Sequence, residues 1–396
     1  MKKLISLLLA VVMLFSLAAC GGAGNGDGET LKVGFIFLHD EQSTYDNNFL
    51  QAAKEACENM GVEYAQKTQI PESNACYEAA VELVEDGCDI IFADSFGHEE
   101  FLMKAAKEYP EIEFCHATGT GAHTSDLDNF HNAFASIYEG RYLAGVVAGM
   151  KLNEMIADKK ITADQAKMGY VGAFTFAEVM SGYTSFYLGA KSVCPSVTME
   201  VKFTGSWYDE TKEKEAAVAL IQNGCVLISQ HADSMGAPTA CENAGVPNVS
   251  YNGSTVASCP NTFLVSSRIN WVPYFEYMIK CVQDGVAIDT DWTGTIETGS
   301  VELSDLGSAV AEGTVEKLAE VKAALLEGTL NVFDTANFKV GGETLTSYMA
   351  DVDFDAEYTK DTEVITNGVF EESKYRSGPY FDIEIDGITL LDRNYG

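Results

Sequence analysis

Several short segments of this chain set flat rings beside groups that donate or accept hydrogen bonds. They are Ser43-Thr44-Tyr45-Asp46, Phe96-Gly97-His98, Trp207-Tyr208-Asp209, His231-Ala232-Asp233, Tyr251-Asn252 and Asn270-Trp271. Rings offer faces that sandwich a planar or saccharide-like molecule. Asp and Asn fix the orientation of such a molecule, because a mismatched partner leaves buried polar groups unpaired. This is the chemistry of capture. Signatures of bond-breaking chemistry are missing: the sequence has no Ser-His-Asp pattern, no G-x-S-x-G elbow, no P-loop and no zinc-ligand spacing. Asp46 and Asp233 could form a hydrolytic carboxylate pair. A metal-assisted hydrolase would also need an acidic metal-binding cluster at one strand end, and the sequence has none. No catalytic residue, metal or cofactor is expected, and the protein reads as a binder and not an enzyme.

These segments need elements to hold them. Short apolar strands alternate with amphipathic helices along most of the chain. Strands are expected at 31–37, 62–67, 89–93 and 112–116, with helices at 48–60, 76–86, 99–108 and 138–153. Gly145 and Gly149 share one face of the last helix, which suits close packing. The rhythm restarts with strands at 168–172, 197–203, 225–229, 249–251 and 262–267 and helices at 177–192, 210–223, 237–244 and 273–283. Alternation of this kind predicts βαβ units and parallel sheets. Two runs predict an α/β protein of two doubly wound lobes. We assign 31–160 with about 255–290 to the first lobe, and 165–254 with part of 290–330 to the second. Residues 330–396 form a C-terminal extension whose topology the pattern does not define. In open parallel sheets ligands bind beyond the carboxyl ends of the strands, and every ring-bearing segment above follows a predicted strand.

Composition narrows the choice of ligand. Among 396 residues, 46% are apolar and 21% charged, which suits a folded protein with two cores. The net charge of −34 disfavours nucleic acid and anionic lipid surfaces. Residues 1–19 join Lys2 and Lys3 to an apolar run ending Leu17-Ala18-Ala19, the pattern of a secretory signal peptide. Cys20 follows as in a bacterial lipobox, so lipidation there and anchorage to the cell membrane are expected. Residues 20–30 are glycine-rich and read as a flexible tether. Nine cysteines follow Cys20, an odd number without a C-x-x-C pair. Most read as small core residues, with one or two disulfides open to an exported protein.

Further stretches carry a resemblance. They are Ser43-Thr44-Tyr45-Asp46, Ser95-Phe96-Gly97, Ala105-Ala106-Lys107-Glu108-Tyr109-Pro110, Tyr138-Glu139-Gly140-Arg141-Tyr142-Leu143-Ala144-Gly145, Ser206-Trp207-Tyr208-Asp209, Gln230-His231-Ala232-Asp233-Ser234 and Asn270-Trp271-Val272-Pro273-Tyr274. In this order, over about 31–295, they resemble the basic membrane protein family of substrate-binding lipoproteins of ABC importers. The resemblance implies a type I periplasmic-binding-protein fold with a multi-strand hinge, an ABC permease as partner, and a purine base or nucleoside as ligand. It implies that Tyr45, Phe96, Trp207 and Trp271 stack on that ligand and that Asp46, Asp233 and Asn252 hydrogen-bond to it. Ser43, Thr44, Gly97, His98 and His231 complete the expected site. Relatives often carry Gly-Trp where Gln42-Ser43 stand and an aromatic where His98 stands, which implies a wider or more polar pocket. A monosaccharide-binding protein of the same fold, or a sensor feeding a membrane receptor, is the alternative. Arg141 with Glu139 reads as a structural tie, Glu213 and Glu215 as a solvated helix face, and Phe174 and Phe176 as either core or cleft.

Overall fold

The computed structural model describes residues 31–352 and 359–393. The expected signal peptide, the lipidated Cys20 and the tether lie outside the described residues. Two parallel sheets organise the rest. The first has the order β11-β5-β4-β3-β1-β2, with β1 (Lys32–Ile36), β2 (Glu63–Lys67), β3 (Ile90–Ala93), β4 (Glu113–Ala117), β5 (Phe130–Ala135) and β11 (Asp291–Gly294) all parallel. Helices α1 (Thr44–Met60), α2 (Asn74–Glu85), α3 (Glu99–Glu108) and α8 (Val272–Asp284) belong to this lobe. Ser43 caps α1, its hydroxyl accepting from the Asp46 N–H, and Gly61 ends it at φ 65°, a conformation that favours glycine.

The second sheet has the order β12-β10-β9-β8-β6-β7-β13. It contains β6 (Lys167–Gly172), β7 (Thr198–Phe203), β8 (Leu227–Gln230), β9 (Asn248–Tyr251), β10 (Phe263–Ile269), β12 (Val301–Leu303) and β13 (Ile388–Leu390). Only β12 runs antiparallel to its neighbour. Helices α4 (Ile137–Ala157), α5 (Ala177–Val193), α6 (Glu210–Gln222), α7 (Gly236–Ala244) and α9 (Thr314–Leu326) accompany it. The chain passes between the lobes after β5, after β10 and after β11, and the crossings are tied together. Ser136 N donates to Gly294 O at 2.8 Å, and Asn270 N to Ser300 O at 2.7 Å.

The expected lobe boundaries need correcting. Helix α4 packs on α5 and β10, not on the first sheet. The reason is its glycine face: a Cβ on Gly145 or Gly149 would strike the carbonyl oxygens of Phe186 and Ala190 on α5. Strand β10 pairs with β9, so 263–269 belongs to the second lobe while α8 returns to the first, against α1. Strand β5 escaped the sequence pattern because it buries His131 and Asn132 among apolar residues. Asn132 is satisfied only by distant groups, donating to Glu99 Oε1 at 3.0 Å and accepting from Ala122 N at 2.8 Å. All nine described cysteines are free and buried, and burial pushes the Cys57 and Cys225 thiols up to about 12.

Two buried ionisable side chains organise the second lobe. Arg141 reaches from α4 to the ends of β6, β8, β9 and β10. Its guanidinium donates to Tyr170 Oη at 2.8 Å, Ser229 Oγ at 3.0 Å, Ser267 Oγ at 3.3 Å and Ser250 O at 3.4 Å. The side chain is fully buried, and the Tyr251 ring lies 5.0 Å from its charge. The structural tie expected of Arg141 is what the contacts describe. Glu213 departs from expectation. Glu215 is exposed, but Glu213 is buried, and its carboxyl accepts from Asp209 N at 3.0 Å and Ser234 N at 3.1 Å. It thereby fixes the turn that carries His231 and Asp233. Burial pushes this carboxyl up to about 7 against the hydrogen bonds that lower it. The folded chain then holds a proton that the unfolded chain has released, so stability falls as pH rises from the ordinary glutamate value through about 7. A Glu213→Gln variant keeps the acceptor without the charge. Its melting temperature is expected to match the parent's near pH 5 and exceed it at pH 8, which thermal unfolding followed by circular dichroism across that range would check.

Candidate functional site

The carboxyl ends of the two sheets face each other across a narrow interlobe cavity of about 20 Å³, roughly the room of one water in this closed arrangement. The first lobe supplies Leu38 and His39 after β1, Tyr45 and Asp46 from the first turn of α1, Ser95 and Phe96 after β3, and Thr118 after β4. The second supplies Glu178 from the first turn of α5, Trp207 after β7, His231 and Asp233 after β8, and Tyr251 at the end of β9.

Asp46 is held tightly. One oxygen accepts from the His39 N–H at 2.6 Å; the other accepts from Ser43 Oγ at 2.6 Å and lies 3.2 Å from His39 Nδ1. Burial alone would raise its pKa, but the His39 and Ser43 hydrogen bonds outweigh that and hold it below the ordinary value. Tyr45 Oη donates to Asp94 O at 2.8 Å, behind the wall. Asp94 itself is pushed well above the carboxylate range by burial and by the neighbouring Asp46 charge.

Asp233 is the counterpart on the second lobe. Burial, then the charges of Asp46, Glu213 and Glu178, push it well above its ordinary value. His231 sits 3.3 Å from Glu178 Oε1 through Nε2 and 3.3 Å from Tyr170 Oη through Nδ1. Burial lowers its pKa despite Glu178, which favours the neutral ring. The cavity wall therefore carries three carboxyl groups, Asp46, Glu178 and Asp233, and no Lys or Arg.

Rings also meet at the cleft. Phe96 of the first lobe meets Phe176 of the second at 5.5 Å between centroids. Trp207 stands edge-on to Phe174 at 5.0 Å and 6.0 Å from Phe176. His39 reaches Tyr208 at 5.4 Å. The backbone also bridges the cleft: Asp233 O accepts from Thr44 N at 3.0 Å and Thr44 Oγ1 at 3.2 Å. The lobes are in the closed arrangement.

Of the residues expected at the site, Tyr45, Asp46, Phe96, Trp207, His231 and Asp233 meet around this cavity. Ser43 and Thr44 stand behind it, the one capping α1 beside Asp46 and the other bridging to Asp233. The remaining four do not line it. Trp271 is 1% exposed and stacks on Phe49 at 4.4 Å in the first-lobe core, because α8 packs there against α1. His98 is fully buried and turned inward, its Nε2 2.8 Å from Ile70 O. Gly97 N donates to Glu72 Oε1 at 2.8 Å, and a Cβ on Gly97 would collide with that side chain. Asn252 takes φ 63° and lies behind Asp233. Phe174 and Phe176, which fitted core or cleft, stand half-buried at the cleft. His39, Ser95, Thr118, Glu178 and Tyr251 were not among the expected residues. Each lies at or just beyond a strand end or in the first turn of the next helix. The strand-end rule reaches them, but it does not say which side chains turn inward.

The family model described as ABC transporter substrate-binding protein, PnrA-like, matches residues 36–335. A purine-binding protein of Brucella abortus is 34% identical over 320 residues, covering 79% of this chain and 85% of that one. A Haloferax volcanii protein whose name assigns it to glucose binding in an ABC transporter is 28% identical over 323 residues, covering 80% and 78%. Among solved structures, the ABC transporter solute-binding protein of Aeropyrum pernix K1 superposes with a TM-score of 0.64 at 19% identity, over 76% of this chain and 92% of its own, which speaks for the fold. The chain belongs to the PnrA-like Bmp family: it is an extracytoplasmic substrate-binding protein of an ABC transporter, and not an enzyme.

Proposed function

We propose that the interlobe cavity binds a purine base or nucleoside, which the closed protein hands to an ABC permease, and that a lipid on Cys20 keeps the protein at the membrane. One observation carries the ligand assignment: rings from both lobes and carboxyl groups from both lobes line the same cavity, with no Lys or Arg among them. A purine offers a flat face to the first and N–H donors to the second, and a ribose adds hydroxyl donors. The purine-binding relative at 34% identity supports the same reading. Ligand binding works through the hinge. The open form admits the ligand, which touches both lobes only when they close, so binding draws the population toward the closed form.

Sugars also suit rings and carboxylates, and the glucose-named relative keeps them in view. A thermal-shift screen with nucleobases, nucleosides and monosaccharides separates the two readings. Purines or their nucleosides are expected to raise the melting temperature; a response to monosaccharides alone would overturn the assignment. Trp207→Ala and Asp233→Ala are each expected to weaken purine binding at least about tenfold, or ~1.4 kcal/mol, with unfolding still cooperative. Unchanged affinity in both variants would remove them from the site. Cys20→Ser is expected to move the protein from the membrane fraction to the soluble one on fractionation; retention would contradict the lipid anchor.

A further inference from the structure

Among the described residues, the chain beyond residue 335, where the family match ends, is built into the body of the protein. Its aromatic residues form a small cluster in which Phe333 stacks on Phe381 at 4.3 Å and meets Tyr138, at the start of α4, at 5.3 Å. Residues 376–391 then touch both lobes. On the first, Ser377 N donates to Asp291 Oδ2 at 3.0 Å. Gly378 lies against the turn after β4, so that a Cβ on it would stand 3.1 Å from Gly119 O and 3.4 Å from Thr118 O. On the second, Gly387 O accepts from Met199 N at 3.0 Å, β13 runs parallel to β7, and Leu391 N donates to Val201 O at 2.9 Å. Between these anchors Tyr380, Phe381, Ile383 and Ile385 are buried, which leaves the segment little slack. Thr118, under Gly378, lines the cavity and has φ 65°, a conformation that a β-branched residue keeps only when its surroundings hold it.

We propose that residues 376–391 form a strap that belongs to the binding apparatus, holding the lobes closed and positioning Thr118 in the cavity wall. Opening the cleft moves the lobes apart. The strap must then release either the Ser377–Gly378 anchor or the β13–β7 ladder. It shifts the balance toward the closed form and slows ligand escape. This rests on the reading of the cavity as the ligand site and of closure as the capture step.

Two variants test it from opposite ends. Gly378→Val wedges the strap off the first lobe, and Thr389→Pro interrupts β13, whose middle residue Thr389 is exposed. Small-angle X-ray scattering of the ligand-free proteins is expected to show a larger radius of gyration for both variants than for the parent. With inosine as probe, release followed by tryptophan fluorescence is expected to be roughly fivefold faster, the worth of one backbone hydrogen bond. An unchanged radius of gyration with an unchanged release rate would overturn the strap. The scattering comparison contains no ligand, so the strap can fail while the purine assignment stands, and the reverse. Should both variants misfold, hydrogen exchange on the unaltered protein decides. Saturating inosine is expected to slow exchange at the Ser377 and Leu391 amides, and unchanged exchange there would contradict the strap.

Discussion

Closing the cleft sets like charges against each other. Asp46 comes from the first lobe and Asp233 and Glu178 from the second, and all three line one small cavity without a Lys or Arg beside them. Asp46 keeps its charge because Ser43 and His39 hydrogen-bond to it. The pKa of Asp233 instead rises under burial and under the field of Asp46 across the cleft. Water no longer screens these groups when the lobes meet. A ligand bearing N–H or O–H donors adds partners to these carboxyl groups, and so offsets the cost of closure. An anionic ligand would add to that cost. This electrostatic constraint, more than the rings, defines what the cavity can accept.

The rest of the fold serves that closure. Three crossings, hydrogen-bonded to one another, make a hinge that bends without letting the lobes twist freely. Arg141 gathers the ends of four second-lobe strands from beneath, and Glu213 pins the turn bearing His231 and Asp233. The second-lobe wall is therefore rigid before any ligand arrives, which reduces the ordering cost of binding. The rings at the cleft mouth are only half-buried.

Much of this could be read from the sequence. Alternating strands and helices define both lobes, and the strand-end rule leads to Tyr45, Asp46, Phe96, Trp207, His231 and Asp233 as one constellation. What failed did so for physical reasons. Trp271 and His98 follow the same rule but turn into the core, because side-chain direction depends on neighbours supplied by distant helices. Glu213 sits on a helix that is polar in sequence, and only the fold of the 230s turn buries it. The polar interior of β5 masks its strand character, and the short pieces of the C-terminal extension have no period to follow.

Isothermal titration with inosine and with inosine 5′-monophosphate tests the central electrostatic claim most directly, since the two share every ring and hydroxyl except where the phosphate is attached. The nucleoside is expected to bind and the monophosphate to bind at least about a hundredfold more weakly, or ~2.7 kcal/mol. Equal affinity for the two would contradict the account.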